Sequence, residues 1–418
     1  MNISLGYGKG TLQAAIDDAH VDAVLTPNDV PVPDDESRLI LSALRHPIGT
    51  GTIAKTFGPG QSVCIVTSDI TRPCPSYKLL PPLLEELGEA GVKNDDITIV
   101  FALGAHRRHT REEIEHLVGK DIASRYRCID MDPQDVVLVG VSTRGTPFEV
   151  FRPVAEASRR ICLGNIEYHY FAGYSGGIKA IVPGVCSRRT IQANHAFMVD
   201  EKAATGNLID NPVRDDLEAL LGFLSVDLIL NVVLAPDKTV LHAVAGDCIQ
   251  AHRAGCAFLD TLYRFPLKKA ADIVLVTPGG FPKDLNIYQA QKALDNARYA
   301  VRQGGVIIWV AACPEGYGSE VFETWLNEAD SPDDLIARVK ARFQLGGHKA
   351  AAIAMTEKKA DVYMVSELED AVMENMFVTP CPDVETALAR ARAKLGEDAR
   401  IVVMPYGGST LPAVEPVP

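Results

Sequence analysis

The chain has no CxxC pair and no cysteine cluster; its nine cysteines stand singly at 64, 74, 128, 162, 186, 248, 256, 313 and 381. That scatter argues against a disulfide scaffold or a structural zinc site and fits a reduced, cytoplasmic compartment. No apolar run reaches the roughly 18 residues a spanning helix requires, so no membrane partner is expected. The opening MNISLGYGKG lacks the apolar stretch of a signal peptide. Positive charge is in deficit: 41 Lys and Arg face 54 Asp and Glu, a formal charge of −13 that makes nucleic acid or anionic lipid a poor partner. A full GxGxxG is also missing. Gly6, Gly8 and Gly10 alternate, but no strand precedes them, so a nicotinamide dinucleotide fingerprint is not supported.

What is present is an alternation of short apolar runs with helical patterns. SVCIVTS, DITIVFALG, ICLGNI and VDLILNVVLA read as strands; YKLLPPLLEELGEAG and TREEIEHLVG read as helices, the latter with capping-box spacing at Thr110 and Glu113. A second series begins near Pro266 with DIVLVTPGG, GVIIWVAAC, DVYMVSEL and ARIVVMPYG as strands between helices. A length of 418 residues favours two domains. The pattern predicts an α/β fold with two domains, each a largely parallel sheet covered by helices. The expected domains are 1–265 and 266–400, with the tail from about 400 to 418 packing back on the first.

In open α/β sheets ligands bind beyond the carboxyl ends of strands. Four polar clusters stand at such places. Asp69 and Arg72 follow SVCIVTS; an arginine there can clamp a carboxylate or phosphate, or simply pair with Asp69 in a surface turn. His106 follows DITIVFALG and can act as a general base, or cap and face solvent. His109 is a weaker candidate, and His116 falls on an exposed helical position. His169 follows ICLGNI, with Gly173, Gly176 and Gly177 ahead of Lys179, and His195 on a helix starting near Ser187. Glycines admit a ligand to the backbone, and a lysine can hold it by charge or by a covalent bond. Finally, Tyr288, Gln289 and Lys292 share one helical face by their i, i+3 and i, i+4 spacing. PEGYGSEVF reads as an anion loop or a turn, and His348 in LGGHKAAAI as a structural histidine at a helix start.

Taken in order, DITRP, GAHR, EYHYFAGYSGGIKAIVPG, TIQANH, GGFPKDLNIYQAQKAL and PYGGST resemble the nickel-dependent lactate racemase family over nearly the whole chain. The resemblance implies a racemase or epimerase that inverts C2 of a 2-hydroxy acid by hydride transfer to and from a nickel pincer nucleotide, through a bound 2-keto acid. That cofactor is pyridinium-3-thioamide-5-thiocarboxylic acid mononucleotide, made by separate enzymes. The resemblance implies covalent attachment at Lys179, nickel ligation by His195, and His106 and His169 as the two acid/bases. It also implies that Arg72, Gln289 and Lys292 orient the substrate, that Asp69, Tyr288, Gly176 and Gly177 support the site or nucleotide, and that the site lies in a cleft between the domains. Two alternatives are a metal-dependent hydrolase or lyase using His106, His169 and His195 together, and a non-catalytic organic-acid-binding protein.

Overall fold

The computed structural model describes residues 1–28, 30–235, 237–344 and 346–414. The fold is α/β, and the chain divides into two compact units: residues 29–261, and a second unit built from 1–28 together with 262–418.

The unit of residues 29–261 is organised on a six-stranded sheet in the order Val240–Gly246, Leu228–Leu234, Arg159–Asn165, Val63–Ser68, Ile97–Ala102, Arg127–Asp130. All neighbours are parallel except the edge strand Val240–Gly246. Val63, Cys64, Ile65 and Val66 are all buried, as expected of a strand covered on both faces. Helix Ser76–Glu89 buries Leu79, Leu80, Leu83, Leu84 and Leu87. Chain order fixes where a ligand can enter. From Val63–Ser68 the chain adds Ile97–Ala102 and then Arg127–Asp130 on one side, and later Arg159–Asn165 on the other. The loops leaving Val63–Ser68 and Arg159–Asn165 therefore diverge, which opens a crevice at this switch point.

In the other unit a second six-stranded sheet runs Thr379–Pro380, Asp361–Val365, Val301–Val310, Ala271–Val276, Ile401–Met404, Val21–Val24, parallel throughout. Here the structure departs from the expected domains. The first 28 residues do not belong with the following 233; Val21–Val24 extends this sheet beside Ile401–Met404. The hairpin of Asn2–Tyr7 with Gly10–Ala15 alternates in burial, and its inward Ile3, Leu5 and Ala14 join a core with Ile273, Leu275, Val306 and Ile308. The tail likewise belongs to this unit. Ile401–Met404 is a fully buried inner strand, and Leu411–Val414 pairs with Arg264–Leu267. Gly8 makes the hairpin turn, with φ +50°, while a Cβ on Gly6 would lie 2.4 Å from the Gly279 carbonyl carbon.

Candidate active site

The loop after Val63–Ser68 places Asp69 at 2% exposure, and His106 arrives from the loop after Ile97–Ala102. His106 Nδ1 lies 2.5 Å from Asp69 Oδ2, while Asp69 Oδ1 accepts from Thr71 Oγ1 (2.7 Å) and the Thr71 amide (3.2 Å). Burial opposes ionisation of Asp69, but the hydrogen bonds from His106 and Thr71 outweigh it and hold the carboxyl below its usual range. An ionised Asp69 can only accept, so the His106 proton sits on Nδ1 and Nε2 carries the lone pair. The imidazole is thus oriented by a buried carboxylate.

Across the switch point, His169, Lys179 and His195 gather around one ring. Phe171 stands edge-on to His169 (centroids 4.5 Å apart) and to His195 (4.8 Å), and the Lys179 ammonium position lies 5.9 Å from its centroid. Helix Arg188–His195, capped by Ser187 as its sequence predicts, delivers His195 from its last turn, 7% exposed, with Nδ1 3.1 Å from Asn194 Oδ1. Lys179 Nζ is buried and makes no hydrogen bond among the described residues. Burial first, then the charges of Arg214 and Arg72, press its pKa well below the ordinary lysine value. His169 is pressed well below the usual histidine range by burial, then by Lys179, His195, Arg72 and Arg214. Both shifts favour the uncharged forms of the amine and the imidazole.

The glycines ahead of Lys179 are required by space. Gly176 and Gly177 have φ of +75° and +59°, and a Cβ on Gly176 would come within 2.8 Å of Asn231 Oδ1. That same Oδ1 accepts the Gly177 amide at 2.7 Å. Sequence reasoning missed Asn231 and Arg214. Asn231 is the polar exception in the apolar run LILNVVL, which was its signal. Arg214 is wholly buried; its Nε donates to the Ala172 carbonyl at 3.1 Å and a terminal nitrogen donates to the Tyr174 carbonyl. Nothing in PVRDDLE distinguishes it from a surface arginine.

Tyr288, Gln289 and Lys292 lie in the other unit, on helix Ile287–Ala297, which is capped by Asn286 and buries Ala290, Ala293, Leu294 and Ala297. Gln289 and Lys292 are exposed on its open side. The loop Pro314–Phe322 braces this helix: the Gly316 and Tyr317 carbonyls accept the Ile287 and Tyr288 amides at 2.9 and 3.2 Å. Lys349, also unforeseen, donates to the Tyr288 carbonyl and sits 4.0 Å from its ring centroid. His348 is buried, which pushes its pKa down to about 3, in keeping with a structural histidine.

Among the described residues no three His, Cys, Asp or Glu side chains converge as a metal-ligand set. His106, His169 and His195 thus do not form the three-histidine centre that a hydrolase would need.

The comparisons with known proteins agree along the full chain. The lactate racemase N-terminal domain family matches residues 7–206, and the lactate racemase C-terminal domain family matches 267–411. A lactate racemase of Thermoanaerobacterium thermosaccharolyticum is 33% identical over 425 residues, 98% of this chain and 99% of that one. A lactate racemase of Lactiplantibacillus plantarum is 33% identical over 417 residues, 97% and 98% of the two chains. The solved lactate racemase apoprotein from T. thermosaccharolyticum superposes with a TM-score of 0.89 at 32% identity, covering 99% of this chain and all of that one. A Thermotoga maritima protein of 16% identity, TM-score 0.64, shares the fold. An α/β chain matched to lactate racemases at this level is an isomerase of the racemase class. The chain belongs to the lactate racemase family.

Proposed function

We propose that the chain inverts C2 of a small 2-hydroxy acid, lactate first among the substrates to test, with a nickel pincer nucleotide tethered to Lys179. The carrying observation is Lys179 itself: a buried, unpaired amine behind a glycine cradle, with His195 and His169 around the adjacent Phe171. A lysine left without a hydrogen bond in a protein interior is costly unless a partner comes with function. The residues fit the group. Lys179 would hold it covalently, the His195 imidazole would give nickel its protein donor, and the Gly176–Gly177 backbone would let the nucleotide approach. Asp69 and Tyr288 would support it. When bound, the cofactor supplies a reversible hydride acceptor.

The protein's own work is binding and proton transfer. Arg72, Gln289 and Lys292 would take the substrate carboxylate and the C2 oxygen, and the positive charge of Arg72 and Lys292 would stabilise that oxygen as its proton leaves. His106 Nε2, oriented through Nδ1 by Asp69, would remove the hydroxyl proton of one enantiomer. His169 would do so for the other, its pKa being pressed below the usual histidine range by burial. Each histidine is thus base in one direction and acid in the other, while the same cations keep the 2-keto acid in place.

Separate cofactor-synthesis enzymes would be the other partners, and the nine free cysteines suit a cytoplasmic setting. No described helix is long and apolar enough to cross a membrane. The test is intact-protein mass spectrometry with metal analysis on protein made alongside those synthesis enzymes. A nucleotide-sized adduct at Lys179 with nickel supports the reading. Racemisation by protein lacking both overturns it.

A further inference from the structure

His109 sits three residues beyond the candidate base, yet its side chain is only 1% exposed. Its ring packs edge-on to Phe101, centroids 5.1 Å apart. Its Nε2 receives the Ile70 amide at 3.1 Å, and its Nδ1 lies 2.6 Å from Asp130 Oδ1. A backbone N–H can only donate, so Nε2 must carry the lone pair and the ring proton must lie on Nδ1, aimed at Asp130. Asp130 Oδ2 also accepts the His109 amide at 2.8 Å, which fixes the ring from both sides. Ile70 lies between Asp69 and Arg72. The imidazole therefore links the ends of three consecutive parallel strands, Val63–Ser68, Ile97–Ala102 and Arg127–Asp130.

We propose that His109 is a positioning residue: held by Asp130, it presents Nε2 as the acceptor that sets the Ile70 peptide, and with it the loop carrying Asp69 and Arg72. The proposal rests on the functional reading only in assigning that loop to the substrate site. It explains a second histidine beside His106 without a second base. The ring cannot serve as a base at Nε2 while that lone pair is occupied by a backbone donor.

Two substitutions separate acceptor from donor. In His109→Gln the amide oxygen can reach the Nε2 position and keep the Ile70 bond. In His109→Asn the amide nitrogen reaches only the Nδ1 position, so the Asp130 bond stays and the Ile70 bond is lost. The holoenzyme carrying His109→Gln is expected to keep kcat/KM within about threefold of wild type, and His109→Asn to lose about tenfold or more. Exchange of the Ile70 amide, measured in the apoprotein, should quicken in the Asn variant alone. In 15N-histidine-labelled wild-type protein, His109 should show a protonated Nδ1 and an unprotonated Nε2. A proton on Nε2, or equal losses in the two variants at equal melting temperature, overturns the proposal. If wild-type holoprotein inverts no 2-hydroxy acid, the functional reading falls, while the imidazole resonances and the Ile70 exchange still decide the part played by His109.

Discussion

Asp69→Asn changes one atom and should disable the base without moving the loop. Asp69 Oδ1 already receives two donors, the Thr71 hydroxyl and amide. In the asparagine the carbonyl oxygen keeps that side, and the NH2 group turns to His106 Nδ1. A donor facing Nδ1 forces the ring proton onto Nε2, the atom that must accept the substrate proton. The wrong tautomer should cost on the order of 10²–10⁴ in kcat, the range associated with a general base. KM should change little, because the Arg72 amide is held by the Asp69 main-chain carbonyl at 3.1 Å, which the substitution leaves alone. Stability should fall by no more than about 1–2 kcal/mol, since the Thr71 bonds survive. The assay is the initial rate of racemisation from each enantiomer, by chiral chromatography, on holoprotein of matched nickel content. A kcat within threefold of wild type would refute the orientation argument.

Lys179→Ala should abolish the covalent adduct without lowering the melting temperature, because the buried amine has no hydrogen bond among the described residues to lose; peptide mapping that finds the adduct on another lysine excludes the tether. His195→Ala should lose nickel on gel filtration while retaining the nucleotide at Lys179, and unchanged nickel stoichiometry would exclude His195 as the ligand. Glu357 has its pKa raised to about 9 by burial and by Asp361, against the smaller pull of Lys394. It is protonated in the folded chain over a range where the unfolded chain ionises, so its contribution to stability declines as pH rises from about 4.5 to about 9. Glu357→Gln should therefore raise the melting temperature at pH 8 by several degrees, on the order of 5 kcal/mol for the roughly 3.5 pH units above the unfolded pKa. The gain should vanish below the unfolded pKa; an equal gain in acid would contradict the assignment.

The strands and helices that carry the site were legible because each has a strong period or an apolar run, and because turn residues bound them. Asp69, His106 and His169 stood out for the same reason: each is a polar residue at a strand's carboxyl end. The return of residues 1–28 to the second unit was not visible. NISLGY alternates as any half-buried hairpin does, and nothing local says which sheet it will cover. Arg214 was hidden because a buried arginine is defined by the carbonyls it meets, and these lie about 40 residues away in the chain. His109 looked like a lesser copy of His106. Only the Ile70 amide and Asp130, both distant in sequence, separate a fixed acceptor from a free base.

The central claim is that inversion proceeds by hydride leaving and returning to the same carbon, and one label tests it. Holoprotein incubated in ordinary water with C2-deuterated lactate should yield the opposite enantiomer with its C2 deuterium largely retained, as read by NMR after chiral separation. A base that abstracted the C2 proton directly would exchange it with solvent. Inversion with complete washout of deuterium would contradict the account.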